Sequence, residues 1–128
     1  MQLKDLKEAF GNLPNAEAKL GYLIELGDCL PKMPEEKRLD ENRIRGCSSQ
    51  VWITASENKC RLDFQMESDA KIVRGILFIL WILVNGKTRE EIKAVNAEET
   101  FAGLGLLKLL SSQRQVGLKS AIDALKEF

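Results

Sequence analysis

"VWITASENKCRLDFQMES", residues 51 to 68, alternates apolar and polar side chains through two runs and then gives way to "GILFILWILV", residues 75 to 84, where nothing is charged. In the first run Val51, Ile53 and Ala55 share one face and Trp52, Thr54 and Ser56 the other. In the second, Leu62, Phe64 and Met66 oppose Arg61, Asp63, Gln65 and Glu67. A period of two marks a strand with one buried face, so the two runs, joined through "SENK" at residues 56 to 59, predict an antiparallel β-hairpin. Ten apolar residues rising about 1.5 Å each cannot cross a hydrocarbon layer of about 30 Å, which makes the following run a core helix and not a membrane span. A hairpin followed by a buried helix sets the class as α+β, a small antiparallel sheet with helices over one face.

Upstream, Leu3, Leu6 and Phe10 recur at helical spacing until "GNLPN" interrupts them, and Asn15 is placed to cap a second helix bearing Leu20, Leu23, Ile24 and Leu30. Gly27 offers that helix a left-handed stop. Between Pro31 and Arg45 the periodicity is lost among two prolines and a dense mixture of charges, which predicts a long solvated loop. Downstream, Ser68 is placed to cap the core helix with Asp69 in its first turn, and Asn85-Gly86 to stop it. "TREE" at 88 to 91 and "NAEE" at 96 to 99 have capping-box form, so two short helices are expected, then a last one from Ser111 or Ser112 with Leu118, Ile122 and Leu125 as its stripe. A short strand at Arg43 to Arg45 would widen the sheet to about three strands and put Cys47 at a turn between strands. Residues 1–128 are expected to form one domain, a length sufficient to bury a core without disulfide or metal staples.

Composition narrows the chemistry. Lys plus Arg number 19 and Asp plus Glu 19, so no net positive field gathers phosphate backbones and nucleic acid is disfavoured as a partner. The chain has no histidine, which excludes internal Cys-His and Ser-His nucleophile pairs, the HExxH zinc motif and imidazole-rich metal sites. Cys29, Cys47 and Cys60 are odd in number and contain no CxxC pair, which argues against a disulfide framework and for a reducing compartment. The opening "MQLKDLKEAF" lacks the apolar stretch of a secretory signal, so the cytoplasm is the expected location.

Cys47 stands apart from the other two cysteines. A thiol reacts as its thiolate and needs positive charge or aimed donors nearby together with a route of approach. Arg43 and Arg45 supply the charge, Gly46 permits unusual dihedrals and close approach, and Ser48, Ser49 and Gln50 offer hydrogen bonds. Cys29 reads instead as a small hydrophobe packed near a helix end, and Cys60 as a structural residue on the Leu62 and Phe64 side of the second strand. Trp52 and Val51 read as core or loop support and Trp81 as core. Without histidine no general base is evident for a hydrolytic cycle, whereas a thiol that accepts a group and passes it on needs none.

"RIRGCSSQVWI" at 43 to 53, "ESDAKIVRGIL" at 67 to 77 and "LLSSQRQVGLKSAI" at 109 to 122 resemble, in order and spacing, the signature regions of the SufE family, the cysteine desulfuration proteins of iron–sulfur cluster assembly. With "YLIELGDCLP" at 22 to 31 the resemblance covers nearly the whole chain. It implies a fold similar to that of the IscU scaffold, and a Cys47 that takes persulfide sulfur from a pyridoxal-phosphate-dependent cysteine desulfurase of SufS or CsdA type and delivers it to a scaffold complex of SufBCD type. The pyridoxal phosphate belongs to the partner, so the chain is expected to carry no cofactor and no metal, and to act as a covalent sulfur-transfer partner and activator rather than as a self-sufficient enzyme. Arg114 matches an arginine of the third region and Asp69 an aspartate of the second; both join Arg43, Arg45 and Gly46 as supporting candidates around Cys47. A monomer or weak homodimer with no membrane partner is expected. Two other readings stay open: an iron–sulfur or metal scaffold using Cys47, Cys29 and Cys60, and a thiol redox protein.

Overall fold

The computed structural model describes residues 1–128. Helices α1 (Leu3–Gly11) and α2 (Ala16–Gly27) lead into a long segment with short 3-10 turns at Glu35–Lys37 and Asp40–Asn42. The hairpin β1 (Val51–Asn58) and β2 (Arg61–Ser68) follows, then α3 (Lys71–Val84), β3 (Lys87–Thr88), α4 (Arg89–Lys93), α5 (Ala97–Gly103) and α6 (Ser112–Glu127). The architecture is α+β, six helices with one three-stranded antiparallel sheet ordered β1-β2-β3.

Local chemistry accounts for most of the boundaries. Asn15, Thr88, Asn96 and Ser111 each accept a backbone N–H with their side chains at the starts of α2, α4, α5 and α6, satisfying a donor the helix leaves free. In the hairpin Ile53 pairs with Met66 and Ala55 with Phe64, so the apolar sets of both strands fall on one face, against the helices. The core helix α3 buries Ile76 to Leu80, Leu83 and Val84. No helix is long and apolar enough to cross a membrane.

Four local expectations are corrected. The third strand is Lys87–Thr88, added to the β2 edge, while the 43–45 segment contributes a single bridge from Arg43 to Trp52. Gly27 is helical, and the residue after it is right-handed; its missing side chain instead admits α3, since a Cβ there would lie 3.0 Å from Gly75 N and Arg74 Cβ. A Cβ on Gly75 would overlap the Leu23 carbonyl, so the two glycines let α2 and α3 touch backbone to backbone. Ser68 does not cap α3: its hydroxyl accepts from Ala70 N, Ala70 is the cap residue, and Asp69 lies outside the helix. Cys60 is neither in the strand nor buried. It forms with Lys59 the two-residue hairpin turn, both residues left-handed, and Cys29 is likewise exposed after the end of α2.

Candidate functional site

Residues 45 to 50 form a closed loop ahead of β1. Arg43 bridges Trp52, and Ile44 N donates to Val51 O at 2.8 Å, which brings the two ends of the loop together. On its outgoing side, Gln50 N donates to Asp69 Oδ1 at 3.1 Å. Asp69 therefore serves this loop and not the helix dipole expected for it. At the tip, Gly46 has φ +87°, a backbone conformation that favours glycine, and a Cβ on it would sit 2.5 Å from Ser120 Oγ, so any side chain there would be strained and would have to displace that hydroxyl.

Cys47 follows directly and lies half-buried over α6. Its thiol donates to the Gly117 carbonyl with Sγ···O 3.6 Å, and a Cβ on Gly117 would come within 3.6 Å of the sulfur. Beside it is a mainly apolar cavity of about 30 Å³ whose lining includes Val51, Val73, Leu77, Arg114 and Leu118. Burial raises the thiol pKa above its ordinary value, and the charge of Arg43 opposes that rise without overcoming it. The resting group is thus a neutral, hydrogen-bonded thiol.

The other candidates divide. Arg114, half-buried on α6, lines the same cavity as Cys47, and Asp69 holds the loop from behind. Arg43 acts on Cys47 through charge alone, and Arg45, exposed next to Gly46, makes no ion pair. Cys60 stands beyond the far end of β1, eight residues or about 26 Å of strand from the loop. No group of three or more Cys, Asp or Glu side chains is close enough to hold a metal ion, so the thiols do not converge on a scaffold-like centre. Sequence reasoning missed Gly117 and Ser120 as partners of the loop. The available signal was the glycine itself, since one inside a helix costs about 1 kcal/mol against alanine and so invites the question of what packs over it.

A family model described as the SufE Fe-S metabolism associated domain matches residues 4–128. The chain belongs to the SufE family. It is 41% identical over 128 residues to a SufE-like protein of Rhizobium meliloti (strain 1021), covering 97% of this chain and 91% of the relative. A SufE-like protein of Rhizobium etli is also 41% identical, over 130 residues, 98% of this chain and 87% of the relative. The solution structure of a hypothetical protein from Thermus thermophilus superposes with TM-score 0.76 at 22% identity, covering 98% of this chain and 90% of that one, and shares the fold. Membership of the family associates the chain with sulfur transfer in iron–sulfur metabolism.

Proposed function

We propose that residues 1–128 act as one sulfur-carrier domain in which Cys47 accepts sulfur from a pyridoxal-phosphate-dependent cysteine desulfurase, of SufS or CsdA type, stimulates that enzyme, and delivers the sulfur to an iron–sulfur scaffold complex of SufBCD type. The observation that carries the reading is a lone half-buried thiol at a glycine-bearing loop tip, closed against a helix, in a chain of this family. The Cys47 thiolate attacks the terminal sulfur of the desulfurase persulfide. The donor's S–S bond breaks, a new S–S bond forms on Cys47, and the donor cysteine leaves as thiolate, so no outside oxidant or reductant enters. Cys47 gives up its proton to solvent as the loop turns outward, where desolvation is relieved and Arg43 favours the anion. Arg45 and Arg114 meet the negative charge of the incoming persulfide, while Gly46 and Asp69 set the loop's hinge and its anchor. Three unpaired cysteines suit the reduced cytoplasm.

Mass spectrometry after incubation with cysteine and a desulfurase should find added sulfur on Cys47 and none on Cys29 or Cys60. Cys47→Ser should abolish acceptance with the fold intact. Desulfurase stimulation that survives Cys47→Ser in the presence of a thiol reductant would exclude relay through this residue.

A further inference from the structure

Glu67 is a carboxylate where none is expected to be hidden. Alternation along β2 puts it on the face of Arg61, Asp63 and Gln65, yet it is 2% exposed. The segment 31–45 crosses over the Gln65 and Glu67 end of that face, while Arg61 and Asp63 stay exposed. Lys37 Nζ reaches Gln65 Oε1 at 3.1 Å, and Arg38 Nη2 reaches Glu67 Oε2 at 3.4 Å. The other carboxylate oxygen accepts from Ser68 N and from Arg74 of α3, whose guanidinium also donates to the carbonyls of Gly27 and Leu30 where the segment begins. A buried carboxylate is tolerated only when paired and hydrogen-bonded, and here Arg74 alone supplies a full partner. Arg38, with a side chain 36% exposed, is an additional tie rather than the neutralising one.

We propose that Glu67 is a positioning residue for Cys47: held by Arg74, it clasps Arg38 and so straps the 31–45 segment over the sheet, keeping the cysteine loop closed on α6. The chain runs from Arg38 through the turn at Asp40–Asn42 directly into Arg43, Ile44 and the loop. Asn42 Nδ2 donates back to the Lys37 carbonyl at 2.8 Å, which stiffens that path so that a displacement at Arg38 is passed on and not absorbed. Two residues beyond Glu67, Asp69 holds the outgoing side of the same loop through Gln50 N. One strand end thus anchors the loop from both sides, and Glu67 is the part that acts through the long segment. The role rests on the reading of Cys47 as the sulfur-bearing residue only for its biological purpose; the shelter itself is measured directly.

The test is site-resolved alkylation by iodoacetamide, with Cys29 and Cys60 as references in the same molecule. Arg38→Met leaves Glu67 paired with Arg74, so folding is retained, and should raise the Cys47 rate relative to both references by about two- to five-fold, the Boltzmann equivalent of a part-exposed ion pair. Arg38→Lys should restore most of the protection. The increase should be insensitive to low urea, because a local opening exposes little surface, whereas exposure through general loss of stability would climb with denaturant. Glu67→Gln should act in the same direction as Arg38→Met. An unchanged Cys47 ratio in folded Arg38→Met, or an increase that tracks urea, overturns the clasp. If the ratio rises as expected while the unaltered protein takes no sulfur on Cys47 from a desulfurase, the clasp stands and the carrier reading falls.

Discussion

The Cys47 loop and the Cys60 turn are built from similar parts and end in opposite states. Each puts a cysteine beside a left-handed residue and near arginines, Arg43 for Cys47 and Arg89 for Cys60. At the hairpin tip Lys59 and Cys60 themselves adopt φ 52° and 68°, and the thiol stays in solvent. At the other loop a glycine takes the left-handed position, and the cysteine is pressed against Gly117. Nearby positive charge is common to both, so it does not distinguish them. Cover does: Cys47 is half-buried and Cys60 exposed, and the carrier role proposed for Cys47 requires its sulfur to be shielded from stray thiols between transfers.

The largest effect should be in accessibility. In the free protein iodoacetamide should label Cys60 and Cys29 readily and Cys47 on the order of ten-fold more slowly, the equivalent of ~1.4 kcal/mol for opening the loop. Binding a desulfurase that lacks its own active-site cysteine should accelerate Cys47 alone, since the outward loop gains contacts available only in the complex. Equally fast labelling of Cys47 with and without the partner would erase the contrast between the two loops.

Next in size are the two left-handed positions. Gly46→Ala forces a Cβ into left-handed backbone and against Ser120 Oγ, so it should destabilise by about 1–3 kcal/mol and unmask Cys47. Cys60→Gly removes a left-handed side chain from a turn that prefers glycine and should stabilise by up to ~1 kcal/mol, after the flexibility glycine adds to the unfolded chain. Denaturant midpoints at unchanged slope read both. The same sign at the two sites would mean that backbone strain is not what separates them.

These positions also show what a sequence discloses. Caps at Asn15, Thr88, Asn96 and Ser111 and the alternation of Val51, Ile53, Leu62, Phe64 and Met66 were legible because each depends on neighbours a few residues away. The two-residue strand at Lys87–Thr88 has no period to read, and Lys59-Cys60 lacks the Asn-Gly signature of its turn type. At the site, Cys47 and Gly46 stand out by their company, whereas Asp69, named as a supporting candidate around Cys47, is also read as a first-turn helix residue, and that second reading fails because its partner, Gln50 N, is 19 residues away. The Glu67, Arg38 and Arg74 group was invisible for the same reason: charges at 38, 67 and 74 look like solvated surface until the chain folds over them.

A smaller effect is expected under the thiol. Gly117→Ala would place its methyl at ordinary contact distance from Cys47, 3.6 Å from the sulfur and 3.8 Å from Cα and Cβ. Helix propensity then favours alanine by up to about 1 kcal/mol, and the filled contact should slow alkylation of Cys47 without touching Cys60. A longer side chain has no room, so Gly117→Leu should lift the loop and speed alkylation. If alanine and leucine shift the rate alike, Cys47 does not rest on α6.

The smallest expected change separates charge from cover at Cys47 itself. Burial is the larger influence on its pKa and acts upward, while Arg43 acts downward. The pH profile of Cys47 alkylation in the free protein should therefore have its midpoint above the usual thiol range of about 8.5–9. Replacing Arg43 by glutamine should move the midpoint slightly further up, since the weaker, opposing influence is lost. Gly46→Ala should move it down, and by more, since exposing the sulfur removes the stronger one. The stability linkage has a fixed sign: with the folded pKa raised, the neutral thiol's contribution is complete below the unfolded pKa and fades as pH rises through the folded value. Protein stability at alkaline pH should accordingly fall less steeply in Cys47→Ser, which cannot ionise there, than in the unaltered chain. A midpoint that drops on removal of Arg43, or that ignores the opening of the loop, would make charge rather than cover the controlling influence and would dissolve the distinction between the two cysteine loops.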